Sequence, residues 1–232
     1  MLVAMKAKDP VVLSYLALRK AVGVVALGLP FALAIPWWVL RGHIIEPSIS
    51  SYYYTGMRNL LVGSLCAISM FQLCCRGYDR KDEIAGIFSA FCALGVAFFP
   101  TEPNCGATPR QQHIAVAHYI FATLLFSTLA YFCLVLFKMT AQNGTMTRKK
   151  LERNRVYTVC GHAILASMAL IALLKLLAVL HMSWVEDWVA NFHTTFCFES
   201  TALIAFGVAW LIKGEAFLKD EEPGPAGTAD GA

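Results

Sequence analysis

Six stretches of the chain are apolar over the length needed to cross a bilayer: residues 21–40, 59–75, 84–100, 113–137, 156–181 and 191–212. A helix rises about 1.5 Å per residue, so a hydrocarbon core about 30 Å thick takes roughly 17–25 residues. The second and third stretches sit near the lower bound. Polar and charged residues gather in the connections between the stretches. The pattern predicts an all-α membrane protein with six transmembrane helices in one bundle. Ahead of it, Asp9-Pro10 has the form of a helix start, with Asp as the cap and Pro at the first helical position. The apolar residues of 11–18 then end at Arg19-Lys20, which predicts a short interfacial helix leading into the first span. The chain therefore divides into an interfacial, cytoplasmic segment 1–20, a six-helix transmembrane domain 21–213 and a cytoplasmic tail 214–232. The tail is acidic, then rich in Gly, Pro and Ala, and has too little apolar surface to order itself.

Within the spans, Pro30 and Pro36 predict a kinked first helix, and Trp37-Trp38 mark its outer end as an aromatic belt. The outer connection 41–57 carries the run Tyr52-Tyr53-Tyr54, too closely spaced to share one face. Gly63/Ala67, Ala85/Ser89 and Gly86/Ala90 have the small-xxx-small spacing that lets helices approach closely in lipid. The charged turn Arg76-Gly77-Tyr78-Asp79 separates the second and third spans, with Asp82 and Glu83 opening the third, where the helix dipole favours anions.

Composition agrees with this reading. The chain is 58% hydrophobic and 15% charged, with a mean hydropathy of +0.59, whereas soluble domains carry about 25% charged residues. The net charge of +4 follows topology. Lys6, Lys8, Arg19 and Lys20, then Arg76, Arg80 and Lys81, then Lys138, Arg148, Lys149, Lys150, Arg153 and Arg155, and finally Lys213 and Lys219 fall on one side. Arg41, Arg58 and Arg110 alone fall on the other. The positive-inside rule then places both termini in the cytoplasm. This distribution leaves no basic patch for nucleic acid. Cys105 is the one cysteine of eight clearly in a connecting loop, so the cysteines read as small packing residues rather than a disulfide framework. Nothing in the spacing implies a cofactor, and the pattern sets no oligomeric state. Membrane lipid is the partner it implies.

The candidate chemistry centres on Glu199, inside the sixth stretch. It lies roughly 13 Å below the outer surface by helix rise, where an ionisable side chain costs about 2.5–3.5 kcal/mol on insertion scales. Lys175, in the fifth stretch, lies at roughly 9 Å, which makes a Glu199–Lys175 ion pair the expected arrangement. Thr195, one turn before Glu199, is expected to hydrogen-bond it. Arg58, His118, Tyr53 and Tyr54 would form the rim of an outer-half ligand site. His113, His118 and His193 also sit at outer helix ends. The five-residue step between His113 and His118 does not match the three- or four-residue spacing of helical metal sites, and His193 and Glu199 diverge likewise. Ser48, Ser50 and Ser51 leave a serine–histidine pair with His118 open. No GxSxG, Walker or GxGxxG pattern selects a mechanism.

The residues Ser48-Ile49-Ser50, Gly56-Met57-Arg58-Asn59, Gly77-Tyr78-Asp79, Phe99-Pro100-Thr101 and Phe206-Gly207 give the chain a layout that resembles uncharacterised bacterial multipass membrane proteins of unknown function. That resemblance implies a bacterial inner membrane and supplies no catalytic mechanism. More distantly, six spans with Ile-Ser in the first outer loop look like the DRAM-like membrane family, from which the tyrosine run departs. Alkaline ceramidase-like hydrolases use a paired HxxxH on a late helix for zinc, and here the late helix offers only His193. The expected function is non-enzymatic binding or handling of a lipid or small amphiphile in the outer half of the bundle. The alternatives are a proton-coupled transporter using Glu199, an intramembrane metal-dependent hydrolase and a membrane scaffold.

Overall fold

A computed structural model describes residues 10–74, 80–139, 147–180, 188 and 192–217, with side chains described from residue 15. Asp9, the turn 76–79, the loop around Asn143-Gly144, His181, Asn191 and the tail from 218 onward lie outside the described residues. Among the described residues the chain is helical, with no strand. The helices are α1 (Pro10–Leu40), α2 (Arg58–Cys74), α3 (Arg80–Phe98), α4 (Pro109–Leu134), α5 (Arg148–Val179) and α6 (Thr194–Lys213). Short 3-10 turns occupy Ser50–Tyr54 and Leu136–Lys138.

Among the described residues four stretches are long and apolar enough to cross a membrane: Tyr15–Leu40, Pro109–Lys138, Arg148–Val179 and Thr194–Lys213. The other two helices fall short for different reasons. α2 is apolar but only 17 residues long. α3 spends its first turn on Arg80-Lys81-Asp82-Glu83, so its apolar part starts at Ile84.

Among the described residues no break separates the short interfacial helix expected at the N-terminus from the first span: α1 runs unbroken from Pro10 through Arg19 and Lys20. Arg19 does not interrupt it because the side chain folds back onto the preceding turn. Its guanidinium lies 4.3 Å from the Tyr15 ring centroid and donates to the Tyr15 hydroxyl. Pro30 and Pro36 are likewise accommodated within the helix.

Each helix packs on the next in chain order, and α6 packs against both α5 and α1, which closes the ring. The end carrying the 41–57 connection and the N-terminus of α6 is called the upper end here. The seam between α1 and α6 depends on two glycines. A Cβ at Gly207 would sit 2.7 Å from the Leu27 nitrogen and 2.8 Å from the Gly23 carbonyl oxygen. A Cβ at Gly23 would meet the Gly207 carbonyl oxygen at 2.9 Å. Of the small-residue positions read from the sequence, Ala85, Gly86, Ser89 and Ala90 are buried, whereas Gly63 has open space around it. Buried polar residues also meet at the α2–α3 contact. Ser69 donates to the Ala90 carbonyl at 2.9 Å, and Ser89 donates to the Gln72 side chain.

Replacing Gly207 by Leu therefore pushes backbone against backbone. Its stability in detergent is expected to fall by about 1–3 kcal/mol, the cost typical of overpacking, and its thermal unfolding midpoint to fall with it. Gly63→Leu is expected to keep its stability within about 0.5 kcal/mol of the parent and to melt close to it. Equal melting of the two variants contradicts the seam.

Candidate functional site

The connection 41–57 does not stay at the surface. It leaves α1 through Gly42 and His43, both at positive φ (71° and 74°), and turns back over the bundle. Glu46 ties it on two sides, accepting from Trp37 Nε1 at 3.1 Å and from Asn104 Nδ2 at 3.0 Å. The Pro47 carbonyl accepts from the Phe196 N–H at 2.9 Å, satisfying one of the donors that the first turn of α6 leaves open. Ser48 and Ser51 share a 2.6 Å hydroxyl contact, and the Ser51 N–H donates to Ser48 Oγ at 3.0 Å. The tyrosine run then divides. Tyr52 is fully buried beside Phe196, and burial pushes its phenol above the ordinary value. Tyr53 and Tyr54 stay nearer the surface.

This path carries backbone down to α6. The Ile49 N–H donates to Glu199 Oε2 at 2.6 Å, and the Ser50 N–H interacts with the same carboxylate. The expected Glu199–Lys175 ion pair does not form. Glu199 is engaged by loop amides, and the Lys175 ammonium lies 3.6 Å from the Tyr119 ring centroid, a cation–π geometry. The two residues still line one cavity. Thr195 lines it as well, without the expected bond to Glu199.

His118 is 4% exposed and held at both ring nitrogens. Nδ1 is 2.7 Å from the Phe99 carbonyl oxygen, and Nε2 is 3.1 Å from Ser50 Oγ. A carbonyl only accepts, so Nδ1 carries the proton and Nε2 accepts from the serine hydroxyl. The carbonyl is free to do this because α3 stops at Phe98 ahead of Pro100, leaving its last carbonyls without helical partners.

Ser50, His118, Ala122, Phe126 and Glu199 form a wall shared by two cavities. On one side lies an apolar space of about 50 Å³ that reaches Leu61, Leu65 and Tyr53. On the other lies a space of about 380 Å³ between α4, α5 and the upper loops. Its mouth is polar, with Thr101, Glu102, Asn104, Tyr119 and Lys175. One to two turns further along α4 and α5 it becomes apolar, at Phe126, Met168 and Ile171.

No family model, curated protein or solved structure matches the chain. The functional reading rests on the geometry of these residues.

Of the residues expected at the site, Glu199, Lys175, Thr195 and His118 line the larger cavity and Tyr53 lines the smaller. Arg58 and Tyr54 line neither and act as fasteners. The Arg58 guanidinium stacks 4.1 Å from the Tyr53 ring centroid and donates to its hydroxyl. Tyr54 donates to the Thr101 carbonyl at 2.7 Å. His113 is exposed, and His193 precedes α6 at a φ of 46°. Among the described residues no trio of His, Cys, Asp or Glu is grouped to hold a metal ion. Sequence reasoning missed Glu46 and Asn104, and it did not separate Ser50 from its neighbouring serines.

Removing the Glu199 carboxylate leaves the Ile49 amide buried without its acceptor. Glu199→Leu is expected to lose about 1–3 kcal/mol and to expose 41–57 to limited proteolysis. Glu199→Gln keeps one acceptor oxygen and is expected to fall in between. A leucine variant as protease-resistant as the parent contradicts the anchoring role.

Proposed function

We propose that the protein is a six-span membrane protein with both termini cytoplasmic, residing in a bacterial inner membrane, and that its larger cavity binds a lipid or small amphiphile from the outer leaflet. The observation behind this reading is the polarity gradient of the cavity, from Lys175, Tyr119 and Thr101 at the mouth to Phe126, Met168 and Ile171 below. A headgroup and its first methylenes match that gradient, because each apolar carbon removed from water contributes about 0.8 kcal/mol while the polar head keeps polar partners. Among the described residues no carboxylate is in ion-pair contact with Lys175, which faces a ring instead, and this favours an anionic head. Charge-assisted hydrogen bonds to an ammonium are about twice as strong as neutral ones. Transport, metal-dependent hydrolysis and scaffolding have no comparable observation behind them.

Titration of the purified protein with a fluorescent fatty acid and with its uncharged methyl ester tests this. The acid is expected to bind about tenfold more tightly than the ester. Lys175→Met is expected to remove that preference, and Ile171→Trp, which fills the apolar end, to weaken both ligands. Affinities unchanged in both variants contradict the proposal.

A further inference from the structure

We propose that Ser50 and His118 form a nucleophile–base pair that cleaves an acyl ester held in the larger cavity. This rests on the amphiphile reading and adds a reaction to it. Three features carry the inference. First, Ser50 Oγ and His118 Nε2 are 3.1 Å apart, within the reach a general base needs to take the hydroxyl proton. Second, the Phe99 carbonyl at 2.7 Å locks the proton on Nδ1. The lone pair of Nε2 therefore faces the serine, and the carbonyl sets the tautomer as the carboxylate does in a serine–histidine–aspartate triad. Third, both residues lie on the cavity wall, beside the space where the amphiphile would sit.

The surroundings single out Ser50 among its neighbours. Ser48 and Ser51 hold each other at 2.6 Å, so Ser50 is the hydroxyl left to the histidine. Its position follows from Glu199, which binds the Ile49 N–H at 2.6 Å and engages the Ser50 N–H. Among the described residues Lys175 is the only basic side chain besides His118 lining the cavity, and it supplies the positive charge for a developing oxyanion. Exposed Glu102 and Asn104 at the mouth give water a route in.

The step balances with water as co-reactant. Ser50 Oγ bonds to the acyl carbon as its proton passes to His118 Nε2. The acyl carbon–alkoxy oxygen bond then breaks, and the departing alcohol oxygen takes that proton. Water attacks the acyl-serine, His118 accepts the water proton, and the carboxylic acid leaves as that proton returns to Ser50 Oγ. Ester and water become acid and alcohol. Ser50 and His118 are the catalytic residues, and Glu199 positions the serine.

The test uses the full-length protein in detergent micelles, a fluorophosphonate–biotin probe and p-nitrophenyl butyrate. The probe is expected to modify Ser50, as mapped by peptide mass spectrometry, and the ester to be hydrolysed. Ser50→Ala is expected to abolish both while still binding the fluorescent fatty acid. His118→Gln is expected to slow both at least about a hundredfold. Glu199→Gln is expected to lower kcat with KM unchanged. Parent protein that binds the fatty acid yet is neither modified at Ser50 nor active on the ester overturns the dyad and leaves the amphiphile reading standing. Modification at Ser48 or Ser51 instead of Ser50 overturns it too. Failure to bind the fatty acid at all overturns both.

Discussion

The hydrogen bond from the Ile49 amide to the Glu199 carboxylate answers two problems at once. A carboxylate within an apolar helix is costly unless donors meet it. A loop that enters a helix bundle is costly unless its amides find acceptors. Each supplies what the other lacks. Once Ile49 is pinned, Tyr52 buries its ring beside Phe196, the Pro47 carbonyl meets the first turn of α6 and Ser50 arrives at His118. The wall between the two cavities is a consequence of that one contact.

The contact in turn depends on how the ring of helices closes. Gly23 and Gly207 let α1 and α6 approach backbone to backbone. The loop that leaves α1 therefore passes directly over the upper half of α6, where Glu199 stands one turn from Thr195. At the lower end the packing is aromatic: Phe132, Phe137 and Trp210 have ring centroids within 6.0 Å of one another, and the Lys213 ammonium sits 5.5 Å from the Phe137 ring. The bundle thus joins an aromatic lower half to an upper half organised around polar groups and open space.

Much of this was legible in the residues. Apolar run lengths located every described helix to within a few residues at most ends, and Glu199, Lys175 and His118, grouped from the sequence, line one cavity. Depth matching along two helices could not determine which partner Glu199 takes. That partner is a backbone amide of a loop, a group that every residue but proline carries and no sequence pattern singles out. The same limit applies to the Phe99 carbonyl on His118. The error at α1 has a different origin: Arg19-Lys20 reads as a boundary when charge is assumed to end a helix, yet the Arg19 guanidinium folds back onto Tyr15 within the helix. Gly63 shows the reverse error, since its spacing fits a packing motif but nothing lies within 4 Å of where its Cβ would be.

Hydrogen–deuterium exchange resolved at the Ile49 amide tests the central contact most directly. In the intact protein this amide is expected to exchange on the slow timescale of the α6 interior, despite its place in a connecting segment. Exchange within seconds, at the rate of a solvated loop, contradicts the account.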